Sequence, residues 1–335
     1  MKAPPDHPQI PPRRIGVLLV NLGSPDAPDA RSVKRYLGEF LSDRRVVELH
    51  PALWQPILRG IVLNTRPSKS AEAYRSIWSE AGSPLTAITA GQALALKDSF
   101  GPGVTVDWAM RYGTPSIADR LATLKAGGCE RILIAALYPQ YSGATTATVN
   151  DRAFLELAKM RWQPAIRTLP PWYDDPLYID ALKTSVERQV AALSFVPEVI
   201  IASFHSMPLR TLELGDPYHC HCMKTARLLS EALGRELTVS FQSKLGRAKW
   251  LEPPTEATLE RLGREGVKSV AVVTPGFVAD NLETLEEIAI RGSESFVEHG
   301  GRDFASLECL NADGEGLGLL RALLARELEG WVPAA

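Results

Sequence analysis

The sequence predicts an α/β fold of two domains, each built on an open parallel sheet flanked by helices. Three observations point there. The chain has 335 residues, 45% of them hydrophobic, enough for two cores of ordinary size. Short apolar runs recur along it, continuous rather than alternating, as strands covered on both faces are. Segments of helical period separate these runs, and strand-then-helix repetition is the rhythm of a parallel sheet with right-handed crossovers.

Taken in order, residues 1–14 (MKAPPDHPQIPPRR) are too rich in proline for regular structure and read as a flexible arm. The first half then offers strands in IGVLLVNLG (15–23), VTVDWAMRYG (104–113) and RILIAALYPQYS (131–142). The second half offers VIIASFHSMP (199–208), LTVSFQSKLG (237–246) and SVAVVTPGFVAD (269–280). Helical period marks SVKRYLGEFL, SAEAYRSIW, GQALALKDSF, SIADRLATLKA, DALKTSVERQVAAL, CMKTARLLSEAL, TEATLERLGREG and ETLEEIAI. The first domain is expected over 15–149 plus 313–335, its closing helix GLGLLRALLARELEGW packing back on it, and the second over 150–312. The join falls somewhere in 145–175.

Composition excludes several classes. The 37 basic and 39 acidic residues are interspersed and sum to −2, which removes the electrostatic footprint of nucleic-acid binding. No apolar run approaches the roughly 20 residues that span a bilayer, and the N-terminus lacks the apolar middle of a signal peptide. A cytoplasmic location is expected, with loose contact to a membrane surface left open. Cys129, Cys220, Cys222 and Cys309 are too few for a disulfide framework. Phosphate-cradling loops (GxxxxGK[ST], GxGxxG after a strand) and a GxSxG elbow are missing, so nucleotide and hydrolase chemistry have little support.

In parallel sheets ligands bind beyond the carboxyl ends of the strands, so the residues after each run carry the search for function. His205 ends VIIASFH. Alone it reads as a core histidine, and Glu283, opening a helix after SVAVVTPGFVADN, reads alone as an N-terminal cap. Together they converge from two strands of one sheet with one nitrogen and one oxygen, too few for a closed structural site and suited to a metal in transit. Glu286 and Glu287 extend an acidic stripe that is equally a solvated helix face. Tyr138, Tyr141, Trp172, Trp250 and Phe277 supply flat apolar faces near strand ends, and Arg66 and Arg111 are candidates to meet carboxylates.

With those residues assembled, LYPQYSGATT, SFHSMPLRTLELGDPYHCHC, QSKLGRAKWLEPPT and PGFVADNLETLEEI together resemble the ferrochelatase family, over nearly the whole chain from VNLGSP to ECLNADGEG. The resemblance implies a lyase that inserts Fe2+ into protoporphyrin IX in the last step of protoheme synthesis. It implies a chelatase-like fold of two Rossmann-like domains, each with a parallel sheet of about four strands, and a porphyrin cleft between them. By position it makes His205 and Glu283 the paired residues for iron or for pyrrole protons. It places Leu22, Arg66, Arg111 and Tyr138 around the macrocycle, with the strand-end aromatics Trp250 and Phe277 expected in the same cleft, and Asp280 and Glu287 on an acidic path. Asn281 stands where many members carry a histidine. Iron is then a substrate and no cofactor is required. A [2Fe–2S] cluster is not expected, because Gly143 replaces the cysteine that some members have after YPQYS, and no cysteine-bearing extension follows. The HCHC run at 219–222 lacks a standard cluster spacing. Competing readings are insertion of cobalt, a coproporphyrin III substrate, and a carrier of haem or metal without chemistry; oligomeric state is not legible.

Overall fold

The computed structural model describes residue 6, residues 14–244 and residues 248–332. Of the arm expected over 1–14, only Asp6 and Arg14 are among these, and Arg14 already belongs to the first strand. Eight strands follow: β1 (Arg14–Asn21), β2 (Val104–Met110), β3 (Cys129–Ala136), β4 (Ala165–Thr168), β5 (Val199–His205), β6 (Thr238–Gln242), β7 (Ser269–Val273) and β8 (Asp303–Ser306). They form two four-stranded sheets, ordered β2-β1-β3-β4 and β6-β5-β7-β8, so the second half repeats the order of the first. Every pairing is parallel.

Six strands coincide with the apolar runs. β4 and β8 do not, because each is a four-residue edge strand, mostly half-exposed, with too little apolar sequence to stand out. β4 lies within the 145–175 span where the join is expected. It pairs with β3, so the chain leaves the first sheet after Thr168.

Local signals set the helix ends. Asp29 caps Ala30–Phe40, its carboxylate accepting the N–H groups of Arg31 (2.8 Å) and Ser32 (3.0 Å). Asp175 does the same for Pro176–Ala191, which begins with proline. Tyr218–Leu233 stops at Gly234, whose φ of 60° is the left-handed cap glycine tolerates. Three segments, Leu58–Val62, Gly143–Ala147 and Glu283–Gly292, wind as wider π-helix, a form found mostly at functional sites.

The two sheets share one middle layer. Val17 and Leu19 of β1, Leu133 of β3, Ile200 and Phe204 of β5 and Val273 of β7 belong to a single core. Helices Pro84–Leu96, Pro176–Ala191, Tyr218–Leu233 and Gly314–Leu328 fill it. Alternate strand residues face outward: Leu18 and Val20 toward Ile117–Ala126 and Thr148–Ala158, Ile201 and Val272 toward Thr255–Arg264 and the π-helix. The last helix packs on both Pro84–Leu96 and Pro176–Ala191, so it serves both halves rather than the first alone. A fourth cluster caps the carboxyl ends, with Val33, Tyr36, Tyr74 and Tyr112 of the first half taking in Leu22 and, from the second half, Leu282.

Gly23 lets the chain turn there. Its φ is +111°, and a Cβ would lie 1.9 Å from the Tyr112 carbonyl oxygen, a contact no rotamer relieves. Gly23→Ala is expected to destabilise the protein by about 2–4 kcal/mol in urea unfolding; a loss under 1 kcal/mol would contradict this account of the turn.

Candidate active site

β5 ends on His205, which is partly exposed and lies level with Gln242 of β6. Its Nδ1 is 2.6 Å from the Ser206 carbonyl oxygen, which can only accept, so Nδ1 carries the proton. In the neutral ring Nε2 then carries the lone pair, the tautomer required of a metal ligand or a proton acceptor.

Glu283 reaches the same place from the next connection. β7 ends at Val273, and the loop that follows is fixed by Asp280, whose carboxylate accepts from Thr284 Oγ1 (2.9 Å) and Asn311 Nδ2 (2.6 Å). Asn281 then starts the π-helix: its Oδ1 accepts the N–H groups of Glu283 (2.9 Å) and Thr284 (3.2 Å), and its Nδ2 donates to the Ala279 carbonyl. The residue that replaces the family's frequent histidine is therefore a buried cap. Leu282 packs into the first half's cluster, which carries Glu283 up against Tyr36 and Tyr74.

Burial pushes the Glu283 carboxyl above the ordinary glutamate range; His205 opposes this, and the charges of Glu287 and Glu286 add to it. Burial likewise raises Tyr36, Tyr74 and Tyr138, which stay neutral phenols. The Tyr36 hydroxyl donates to Gly23 O (3.1 Å), tying the turn after β1 to this wall. Tyr36 and Tyr74 were not among the sequence candidates. Their only signal was that each is the aromatic member of a helical period.

The acidic stripe divides. Glu287 is held by Ser243, whose N–H (2.7 Å) and hydroxyl (2.5 Å) both donate to its carboxylate. Glu286 turns to Arg291 at 2.9 Å, a separation of five residues that the wider π turn brings together. Glu283 has no such partner: no side chain among the described residues donates to its carboxylate.

Of the other candidates, Leu22 lines the same wall. Arg66, on helix Leu63–Ile77, is half-buried with no hydrogen-bond or ion-pair partner among the described residues, and burial lowers its pKa. The Tyr138 hydroxyl and the Trp250 Nε1 are buried without partners, and Trp250 pairs with Pro208 just after His205. Such orphaned donors are rare and mark places a ligand can satisfy. Three further candidates already have partners or packing of their own. Arg111 is not free: it pairs with Asp43 (2.5 Å), donates to Thr148 (2.7 Å) and stacks over Tyr112. Asp280 is engaged as framework and does not extend the acidic path. Phe277 lies in the turn after β7, beside Leu182, Val186 and Cys309 around a gap of about 10 Å³, room for one water at most. Among the described residues no three His, Cys, Asp or Glu side chains gather as a metal site.

The comparisons agree on one family. The model of the ferrochelatase family matches residues 14–328. A protein of Rhizobium meliloti (strain 1021) named "Ferrochelatase" is 56% identical over 99% of this chain and 100% of its own length. One of Agrobacterium fabrum with the same name is 53% identical over 98% of each. Among solved structures, "SirB from Bacillus subtilis with Fe3+" superposes with a TM-score of 0.57 over 95% of this chain and 97% of that one, at 11% identity, a likeness of fold.

Because the Glu283 pKa is raised in the folded state, its charge costs stability above that pKa, and the cost vanishes as pH falls below the unfolded value near 4.5. Glu283→Gln is therefore expected to be more stable than the parent at pH 7.5 and to lose that advantage toward pH 4. Thermal unfolding across this range checks it, and a Gln variant less stable at pH 7.5 would refute it.

Proposed function

The chain belongs to the ferrochelatase family, and on that premise we propose that His205 and Glu283 carry the insertion of Fe2+ into protoporphyrin IX. The protein is a ferrochelatase of haem synthesis, a lyase. The observation that carries the residue assignment is the meeting of an imidazole whose Nε2 accepts no described donor with a half-buried carboxylate that no described side chain donates to.

Insertion exchanges two pyrrole protons for one Fe2+, so it needs two proton acceptors at the macrocycle. Nε2 of His205 takes one, while the Nδ1–H held by Ser206 fixes the ring. Glu283 takes the other, its raised proton affinity bringing it nearer the working range of a base at neutral pH. Leu282 closes the wall over Glu283, so the macrocycle enters as the two halves part, and contact with Tyr36, Tyr74 and Tyr138 bends it until the nitrogens leave the plane. Glu287, held by Ser243, keeps a negative field behind Glu283 that favours the arriving cation.

Arg66 is the residue we assign to a propionate, as a half-buried guanidinium without a partner. Protoporphyrin, with two propionates, is the substrate we assign, Arg66 meeting one of them. Iron is substrate here, and no resident cofactor is assigned.

We place the enzyme in the cytoplasm, in loose contact with a membrane surface. No described helix is long and apolar enough to cross a membrane. Along the segment entering Pro51–Ile57 and Leu58–Val62, however, Leu49, Leu53, Ile57 and Ile61 recur every fourth residue and stand 43–68% exposed. That apolar stripe suits the interface from which a water-insoluble macrocycle is drawn.

Metal insertion under anaerobic conditions, followed by porphyrin absorbance, tests the assignment. His205→Ala and Glu283→Gln are each expected to slow insertion by about 10²–10⁴-fold while porphyrin still quenches protein fluorescence; near-normal turnover by either folded variant would sink it. Arg66→Leu is expected to raise KM for protoporphyrin about tenfold with kcat nearly kept, whereas loss of kcat alone would remove Arg66 from the propionate site.

A further inference from the structure

The joint between the two halves carries a histidine that no step of the reaction uses. Two segments leave the carboxyl edge of the first sheet, the loop 138–143 after β3 and the crossover 172–174 after β4, and both come to rest on helix Tyr218–Leu233 of the second half. Gln140 Nε2 donates to Thr225 Oγ1 (3.0 Å), and Thr225 Oγ1 donates to Tyr173 O (2.7 Å). Asp216, just before the helix, accepts from Gly143 N–H (2.7 Å) and from Ser142 Oγ (3.2 Å).

His221 touches both segments at once. Its Nδ1 lies 3.2 Å from the Tyr141 backbone nitrogen, and its ring lies flat on Tyr173, centroids 3.6 Å apart and planes 9° apart. A backbone N–H can only donate, so Nδ1 must be the unprotonated nitrogen and the ring neutral. The charged groups facing it are Asp174, Asp216 and Lys224, and Lys224 is itself paired with Asp174 at 2.6 Å.

We propose that His221 is a positioning residue: neutral, it holds the loop bearing Tyr138 against the second half, and protonated, it sets two N–H groups face to face and releases that loop. The proposal rests on the reading of Tyr138 as part of the porphyrin wall. Burial lowers the His221 pKa from 6.5, with Asp174 and Asp216 opposing and Lys224 assisting. The sign follows: the clamp is complete above the unfolded histidine range and is lost as pH falls through the folded value, so neutral conditions keep it closed. The effect falls on binding of the macrocycle, because the loop shapes the wall and carries neither His205 nor Glu283.

The test compares the parent, His221→Asn and His221→Phe from pH 7.5 to 5.5, measuring KM and kcat for protoporphyrin and, in parallel, amide exchange of the peptide containing Tyr141. Asparagine offers an acceptor oxygen and does not titrate; phenylalanine keeps the stack and removes the acceptor. The parent is expected to show KM rising about three- to tenfold on acidification, the loss of one hydrogen bond, with faster exchange at Tyr141. His221→Asn should flatten that rise, and His221→Phe should show high KM and fast exchange at every pH. A His221→Asn profile that tracks the parent overturns the proposal, as does a parent whose Tyr141 exchange, corrected for intrinsic rate, is independent of pH. Faster exchange in His221→Phe with KM unmoved also overturns it, and leaves the assignment of His205 and Glu283 standing. If Tyr138→Ala leaves KM unmoved, the wall reading fails instead, and the exchange data then judge the clamp alone.

Discussion

Leu282 and Glu283 are neighbours with opposite requirements. Leu282 gains by burial among Val33, Tyr36 and Tyr74, and in taking that place it draws a carboxylate out of water. An enclosed carboxylate without a cation is costly, and such sites persist where the surroundings hold them in place. Here the holding is visible. Asn281 supplies the helix start, Asp280 and Asn311 fix the loop, and β5 of the second sheet ends on His205.

Hydrogen-bond accounting separates the framework from the reactive groups. Arg111, Asp280, Glu286 and Glu287 are charged and near the site, yet each is matched by partners. Nε2 of His205, the Glu283 carboxylate, the Arg66 guanidinium, the Tyr138 hydroxyl and the Trp250 indole N–H are not matched. Buried donors such as the Tyr138 hydroxyl and the Trp250 N–H are seldom left unpaired, and with the half-buried His205, Glu283 and Arg66 they read as a surface shaped for a ligand.

How much of this the sequence discloses depends on the physics behind each feature. Strands buried on both faces write themselves as apolar runs, so six of eight were legible; β4 and β8 are short half-exposed edges and were not. His205 and Glu283 were legible because a parallel sheet puts both at its carboxyl edge. Tyr36 and Tyr74 were not, since nothing local tells a helix that its buried face meets the other half of the molecule. The pairing of Arg111 was not legible for the same reason: its partner Asp43 lies 68 positions away, in a segment without a pattern of its own. The surroundings of Phe277 were not legible because it lies in the turn after β7, where its N–H donates to the Thr274 carbonyl and no strand period fixes its direction.

The middle helical layer carries a consequence for how the molecule is made. Its last member, Gly314–Leu328, is synthesised after all eight strands, yet Leu319, Leu320, Leu323 and Leu324 lie in the same core as Val17 and Phe204. Until that helix emerges, the middle layer lacks the member that packs on both Pro84–Leu96 and Pro176–Ala191, and part of the shared core stays open. The two sheets repeat one topology, but they finish folding as one cooperative unit, and an error in the final tenth of the chain is felt at the first strand.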